Sequence, residues 1–139
     1  MSNLSGFVKR IRDIMRNDAG INGDAQRIEQ MAWMLFLKVY DSKEEDWEFS
    51  DSNYKSIIPE ECRWRNWAKD DKSGSAMTSE KLLNFVNNTL FPTLKNLEIT
   101  PQTPMSKAIV KTTFEDANNY MKDGVQFRQV LNEIDELDL

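Results

Sequence analysis

Apolar residues recur every three or four positions through most of the chain, which is the pattern of amphipathic α-helices. The first stretch of this kind runs from Leu4 to about Asn17. Its apolar stripe consists of Leu4, Phe7, Val8, Ile11, Ile14 and Met15. Gly20 and the run Asn22-Gly23-Asp24 then predict a turn and the start of a second helix.

The second predicted helix, from about Asp24 to Lys43, is expected to form the centre of the fold. Its apolar residues surround it almost completely between Met31 and Leu37, as in a helix buried on most sides. We assign its main buried face to Ile28, Met31, Ala32, Leu35, Phe36, Val39 and Tyr40. The acidic run Glu44-Glu45-Asp46 suits a helix C-terminus poorly, because the helix dipole favours cations there. Either the helix continues past this run or the run is a solvated loop.

The periodicity is lost between Trp47 and Trp67, where aromatic residues are separated by Ser, Asp and Asn. This predicts an irregular, aromatic-rich loop packed on the helices. A short helix should follow from Pro59, since proline is favoured at the first helical position. A brief hairpin is an alternative that no alternating pattern supports.

Three further helices are predicted in the second half of the chain. Thr78 can cap a helix that ends at Pro92, and residues 93–97 can add a turn. A helix carrying Met105 and Ile109 follows, and the last helix carries Phe127, Val130, Leu131, Ile134 and Leu137. The sequence therefore predicts one mostly α domain over residues 1–139: a small bundle of about five to six helices with an aromatic-rich irregular loop.

The composition is that of an intracellular globular domain. The chain has 139 residues, of which 40% are hydrophobic, and no segment approaches the ~20 apolar residues of a membrane span. Its N-terminus lacks the apolar stretch of a signal peptide. One cysteine, Cys62, allows no internal disulfide, which fits a reducing compartment and suggests an inert thiol. We expect a cytoplasmic protein without membrane contact.

Charge is distributed unevenly along the chain. The net charge is −5, but residues 1–40 carry +2 and residues 41–61 carry −6. A domain that binds DNA by itself is usually strongly basic. Any contact with nucleic acid should therefore be local, or supported by other parts of a larger assembly.

The residues that most catalytic sites need are missing. The chain has no histidine, which excludes a histidine base and a histidine zinc site. Its five glycines never form Gly-x-Gly, so neither a dinucleotide loop nor a phosphate loop is predicted. We predict no catalytic, cofactor-binding or metal-binding residue, and no enzymatic activity of this segment alone.

Two groups of basic residues are candidates for contact with DNA or a partner: Lys9, Arg10, Arg12 and Arg16 in the first helix, and Arg63, Arg65 and Lys69 in the segment Arg63-Trp64-Arg65-Asn66-Trp67-Ala68-Lys69. Cations interleaved with aromatics can pair phosphates and stack bases. The alternative is an ordinary solvated face for the first group. For the second, it is tryptophans that anchor a loop on the core beside arginines that extend to solvent.

Four segments together carry a family resemblance. They are Ile11-Arg12-Asp13-Ile14-Met15; Ile28-x-x-Met31-x-x-x-Leu35-Phe36-Leu37-Lys38-x-Tyr40; Ile58-Pro59-Glu60-Glu61-Cys62-Arg63-Trp64; and Phe114-x-x-x-Asn118 followed by Phe127-Arg128-x-Val130-Leu131-Asn132-x-Ile134-x-x-Leu137. In this order they resemble the N-terminal helical domain of the modification (methyltransferase, M) subunit of type I restriction-modification systems. The resemblance spans essentially the whole chain.

The resemblance implies a parent protein that methylates adenine at N6 in DNA with S-adenosylmethionine. In that family a Rossmann-like catalytic domain follows the helical one and holds the cofactor and the flipped adenine. Its glycine-rich and Asn-Pro-Pro-aromatic motifs are absent here, so no catalytic or cofactor residue can be transferred. We expect the helical domain alone: a fragment, a truncated product or a separately encoded domain.

The implied role is assembly and DNA clamping. The implied partners are a specificity subunit, a second modification subunit, a restriction subunit and double-stranded DNA within the complex. Two other classes of function remain open on the residues alone. One is a stand-alone helical interaction module or regulator, and the other is an independent DNA-binding domain, for which no basic recognition helix is evident.

Overall fold

The computed structural model describes residues 4–137, which form α-helices and no strand. The helices are α1 (Leu4–Met15), α2 (Gly23–Ser50), α3 (Trp64–Trp67), α4 (Ser79–Phe85), α5 (Phe91–Lys95), α6 (Met105–Glu115) and α7 (Gly124–Asp135). A 3₁₀ turn, Glu60–Cys62, precedes α3, and a π-helical segment, Val86–Leu90, joins α4 to α5 without a break. The predicted mostly α bundle is confirmed.

Helix α2 is longer than predicted. It spans 28 residues and continues through the acidic run to Ser50, so the predicted end at Lys43 is wrong and the first of the two alternatives holds. The irregular segment is correspondingly shorter than predicted. Glu44 explains the difference, because its carboxylate is buried against Arg63 and Tyr54 instead of standing in solvent. These partners offset the unfavourable position of an acid near a helix C-terminus.

The buried face of α2 also differs from the predicted one. It consists of Gln30, Trp33, Met34, Leu37, Tyr40, Asp41 and Glu44. Ile28, which was assigned to the core, is 62% exposed, and Val39 is exposed as well. A pattern that counts only apolar residues places the polar Gln30, Asp41 and Glu44 outside, whereas hydrogen bonds and ion pairs let them face inward.

Trp33 stands at the centre of the core. Its ring lies 4.9 Å from that of Phe91, 6.0 Å from that of Phe127 and 6.1 Å from that of Phe114, measured between centroids. It also stacks on Trp67. These partners come from α5, α7, α6 and α3, so one side chain of α2 contacts four other helices. Aromatic pairs of this kind add roughly 0.5–1.5 kcal/mol each to the free energy of burial.

The helix that begins after Thr78 does not stop at Pro92. The π-helical segment widens the backbone over Val86–Leu90, and Pro92 falls in the first turn of α5. Proline lacks an N–H donor, and the start of a helix is where that loss is tolerated. The predicted end at this residue is therefore wrong. Lys95, the last residue of α5, links α5 to the end of α6. Its Nζ donates to the Phe114 carbonyl oxygen at 2.7 Å.

A buried carboxylate ties the two ends of the chain together. Asp18, in the turn after α1, accepts hydrogen bonds from the backbone N–H groups of Gly20, Lys122 and Asp123 at 2.8–2.9 Å. Gly20 approaches the backbone so closely that a Cβ there would lie 1.9 Å from the Tyr120 carbonyl oxygen. The turn is thereby fixed against the segment that leads into α7, whose first N–H groups Asp123 caps.

Removing the Asp18 carboxylate should destabilise the fold without changing its surface charge pattern elsewhere. The Asp18→Ala variant leaves buried N–H donors without an acceptor, so we expect a loss of about 3 kcal/mol in the free energy of unfolding. The matched control is Asp46→Ala, which removes the same charge at an exposed site of α2. Urea unfolding followed by circular dichroism measures both, and equal stability of the two variants would contradict the assignment.

Within residues 4–137, no helix is both long and apolar enough to cross a membrane.

Candidate functional site

Three of the four basic residues of α1 lie on its outer side, because the opposite side packs on α7 through Phe7, Ile11 and Met15. Lys9, Arg10 and Arg16 are exposed. Arg10 donates from Nε to Glu133 of α7 at 2.8 Å. Arg16 is 69% exposed, and within residues 4–137 its one ion pair is with Asp13, at 3.9 Å. This helix therefore presents cations to solvent.

Arg12 points toward the start of α2. Its Nε is buried and, among the described residues, has no hydrogen-bond acceptor. Together with Arg16 and Arg27 it lines a cavity of about 200 Å³ between the end of α1 and the first turn of α2. Sequence reasoning missed Arg27. The available signal was its place one turn after the Gly23 helix start, where the tight turn of 16–22 brings α2 back to α1.

Arg63 and Arg65 occupy a different setting. Asp41, Glu44 and Glu48 follow one face of α2 at helical spacing, and the two arginines extend across them. Arg63 is only 6% exposed. Its Nε lies 3.4 Å from Oε1 of Glu44, and these two atoms form an ion pair without hydrogen-bond geometry. Its Nη2 lies 3.2 Å from Glu48.

Arg65 completes this ion-pair network. Its Nε donates to Asp41 at 2.9 Å, and its Nη1 lies 2.9 Å from Glu48. Both arginines of the segment are therefore bound to carboxylates. Their charge is paired inside the domain, which makes Arg63 and Arg65 less suited to phosphate contact than the exposed cations of α1. The face-sharing acids of α2 were the signal for this outcome.

The hydroxyl groups around Glu44 stay protonated. Tyr54 donates to Glu44 at 2.6 Å, and burial together with that carboxylate raises the pKa of Tyr54 well above its ordinary value. Burial, with a further contribution from Glu44, raises the pKa of Tyr40 to about 12. The neutral Tyr54 phenol therefore satisfies the buried carboxylate without adding charge, while the Tyr40 hydroxyl donates to the Ser106 carbonyl at 3.0 Å.

The two tryptophans of the segment belong to the core. Trp64 donates from Nε1 to Asp135 of α7 at 2.8 Å, and Trp67 donates to the Cys62 carbonyl at 3.0 Å. This confirms that they anchor the segment and shows that they are closed to base stacking. Burial raises the pKa of the Cys62 thiol to about 11, which makes it a poor nucleophile. Lys69, just after α3, is exposed.

Comparison with known proteins identifies the class of domain that this bundle represents. Residues 4–134 match the family of HsdM N-terminal domains. The chain belongs to the HsdM N-terminal domain family, which confirms the resemblance drawn from its four segments.

Individual relatives agree with this assignment. The chain is 45% identical over 135 residues to the type I restriction enzyme EcoEI methylase subunit of Escherichia coli, covering 97% of this chain and 27% of that protein. It superposes on a crystal structure of a modification subunit of a putative type I restriction enzyme from Vibrio vulnificus with a TM-score of 0.88 and 28% identity, covering 98% of this chain and 31% of that one.

A third relative comes from a structure that addresses complex assembly and conformational transition of the type I restriction-modification system. The TM-score is 0.80 and the identity is 31%, over 97% of this chain and 26% of that one. The chain thus spans less than a third of the length of each of these relatives.

Breaking the Arg63–Glu44 pair from one side should be strongly destabilising. The Arg63→Met variant keeps apolar bulk but leaves the Glu44 carboxylate buried without its cation, and we expect a loss of about 3–5 kcal/mol in the free energy of unfolding. The Arg63→Met/Glu44→Met double variant should recover most of that loss, because both charges are gone. Chemical denaturation checks this, and a double variant no more stable than the single one would contradict the pairing.

Glu48 should make the stability of the domain depend on pH. Burial by itself would raise its pKa, but hydrogen bonds from Arg65 and Arg63 hold the pKa of Glu48 below its ordinary value of 4.5. A carboxyl with a lowered folded pKa stabilises the fold above its unfolded pKa, and this contribution disappears as the pH falls through the folded pKa. The stability difference between wild type and Glu48→Gln should therefore be largest near pH 7 and shrink below about pH 4. Denaturation series from pH 2.5 to 7 test this, and a pH-independent difference would contradict it.

Proposed function

We propose that this chain is the helical assembly and DNA-clamping domain of a type I restriction-modification adenine-N6 DNA methyltransferase subunit, and that it is not catalytic alone. The observation that carries the proposal is the match of residues 4–134 to HsdM N-terminal domains, combined with the group of exposed cations on α1. Arg63 and Arg65 are paired with carboxylates, so α1 is the better suited to phosphate of the two basic groups predicted from the sequence.

The catalytic chemistry belongs to the parent protein. The relatives are methylase and modification subunits more than three times as long as the matched region. We propose that residues 1–139 form one domain and that a separate Rossmann-like domain of the parent holds S-adenosylmethionine and the target adenine. The present residues would then position that domain on the duplex, in the cytoplasm.

The proposed partners follow from the same family. They are the specificity subunit, a second modification subunit and the restriction subunit, with double-stranded DNA enclosed in the complex. The acidic end of α2 supports protein contact there instead of DNA contact, because Glu45, Asp46 and Asp51 are exposed and would repel phosphate. Phe49, between them, is 95% exposed and offers an apolar anchor to a protein partner.

DNA contact is proposed for Lys9, Arg10, Arg12 and Arg16 of α1, with Lys69 as an outlying cation. Sequence readout would be left to the specificity subunit, since phosphate contacts position a protein without identifying bases. A few local cations are enough for this role in an otherwise acidic chain.

Charge reversal on α1 tests the proposal in the assembled complex. The Lys9→Glu/Arg16→Glu variant changes two exposed side chains, so the fold should be preserved. We expect affinity for a duplex to fall at least about tenfold at low salt, and the slope of log K against log salt to become shallower by about two phosphate contacts.

The matched control is Lys43→Glu/Lys81→Glu, which changes the net charge equally on exposed parts of α2 and α4. Fluorescence anisotropy over a salt series measures both variants. The proposal fails if the α1 variant binds like wild type, or if the control loses as much affinity.

A further inference from the structure

Three arginines converge on the cavity between α1 and α2. Arg12 and Arg16 reach it from the last turns of α1, and Arg27 reaches it from the second turn of α2. The volume of about 200 Å³ is open to solvent on one side and is closed by Met15 and Ile21 on the other. Guanidinium groups that meet in one concave site favour an oxyanion, because each presents paired N–H donors that match phosphate geometry.

The cavity is not simply a patch of solvated side chains. Arg27 is only 18% exposed, and the Arg12 Nε is buried with no acceptor in the described part of the chain. A buried charged donor without an acceptor carries a desolvation penalty, which a negative charge beside the same guanidinium would offset. The unused donor and the surrounding positive charge therefore indicate the same kind of ligand.

One carboxylate lies within the cavity and limits its charge. Asp24 accepts from Arg27 at 2.6 Å, while its own side chain is 80% exposed. It can turn toward solvent and release Arg27 to a ligand. Asp13 stands 3.9 Å from Arg16, too far for a close hydrogen bond. Three cations thus face one close carboxylate and one distant one.

The backbone leaves the cavity accessible. Gly23 begins α2 with φ of +85°, and a Cβ built there would meet nothing within 4 Å. The side chain of Asn22 makes no capping hydrogen bond to the first turn of α2. The arginine cluster remains the basis of the site, and the open helix start adds favourable N–H dipoles to it.

We infer that this cavity binds one phosphate group, supplied by the DNA backbone, through Arg12, Arg16 and Arg27. The inference rests on the proposed function for the source of the phosphate and adds Arg27 as a contact residue. The inference thereby assigns one defined phosphate-binding site to the basic side of α1.

The first experiment titrates the 139-residue chain with inorganic phosphate at low ionic strength and follows the arginine Nε–Hε resonances by NMR. We expect saturable shifts at Arg12 and Arg27. Binding should weaken at least about fivefold in Arg27→Gln, strengthen in Asp24→Asn because Arg27 is released, and stay unchanged in the control Lys43→Gln. Shifts that do not saturate, or that are the same in all variants, would overturn the site.

The Asp24→Asn variant keeps the test valid if Arg27→Gln perturbs the fold. A structural role for Arg27 alone predicts no gain in phosphate binding when Asp24 loses its charge.

The second experiment identifies the source of the phosphate. In the assembled complex, Arg27→Gln should make the salt slope of duplex binding shallower by about one phosphate contact, and Lys43→Gln should not. Saturable binding of inorganic phosphate with an unchanged DNA slope would overturn the assignment to DNA.

The two proposals fail separately. If Lys9→Glu/Arg16→Glu weakens duplex binding but inorganic phosphate does not bind in the cavity, the cavity inference is wrong and the proposed DNA contact of α1 stands. If phosphate binds in the cavity and the α1 variant binds duplex normally, the proposed function fails together with the assignment of the phosphate to DNA, while the cavity itself stands as a phosphate site.

Discussion

A buried carboxylate on the long central helix shapes most of this domain. Glu44 faces inward, and Arg63 and Tyr54 cross from the following segment to meet it. This arrangement lets α2 run on through an acidic sequence, and it fixes the segment of 54–67 against the helix instead of leaving it in solvent. Because isolated burial of a carboxylate is very costly, the partners and the helix must be placed together. The position of α3, and hence of Trp67 under Trp33, follows from that requirement.

The same ion pairs give the two basic groups of the molecule different roles. Arg63 and Arg65 form ion pairs with Asp41, Glu44 and Glu48, so this segment, rich in cations and aromatics, packs against the core. The cations of α1 form only exposed or long ion pairs, with Glu133 and Asp13, and Lys9, Arg10 and Arg16 remain exposed to solvent. A basic sequence motif therefore says little about a surface until the carboxylates of neighbouring elements are located. In this chain they lie 15 to 24 residues upstream of their partners.

Membership in the HsdM N-terminal domain family gives this charge separation a functional sense. Under the proposed function, the acidic end of α2 with its exposed Phe49 suits a protein partner, and the basic α1 suits DNA. The hydrogen bonds accepted by Asp18 join the α1–α2 turn to the segment that leads into α7. These hydrogen bonds hold the arginine cavity at a fixed position relative to α7, as the proposed phosphate contact requires.

The sequence alone determined the helical class, most helix positions and the family, because these depend on local periodicity and on the order of short segments. It placed Phe7, Ile11 and Met15 of α1 in the core correctly, but Leu4 and Val8 of the predicted stripe are exposed. It could not determine which face of α2 is buried, since Gln30, Asp41 and Glu44 enter the core only through partners distant in the chain. Nor could it reveal that Arg63 and Arg65 are neutralised while Arg27 joins Arg12 and Arg16. Those outcomes depend on which side chains meet across helices, and only tertiary packing sets those distances.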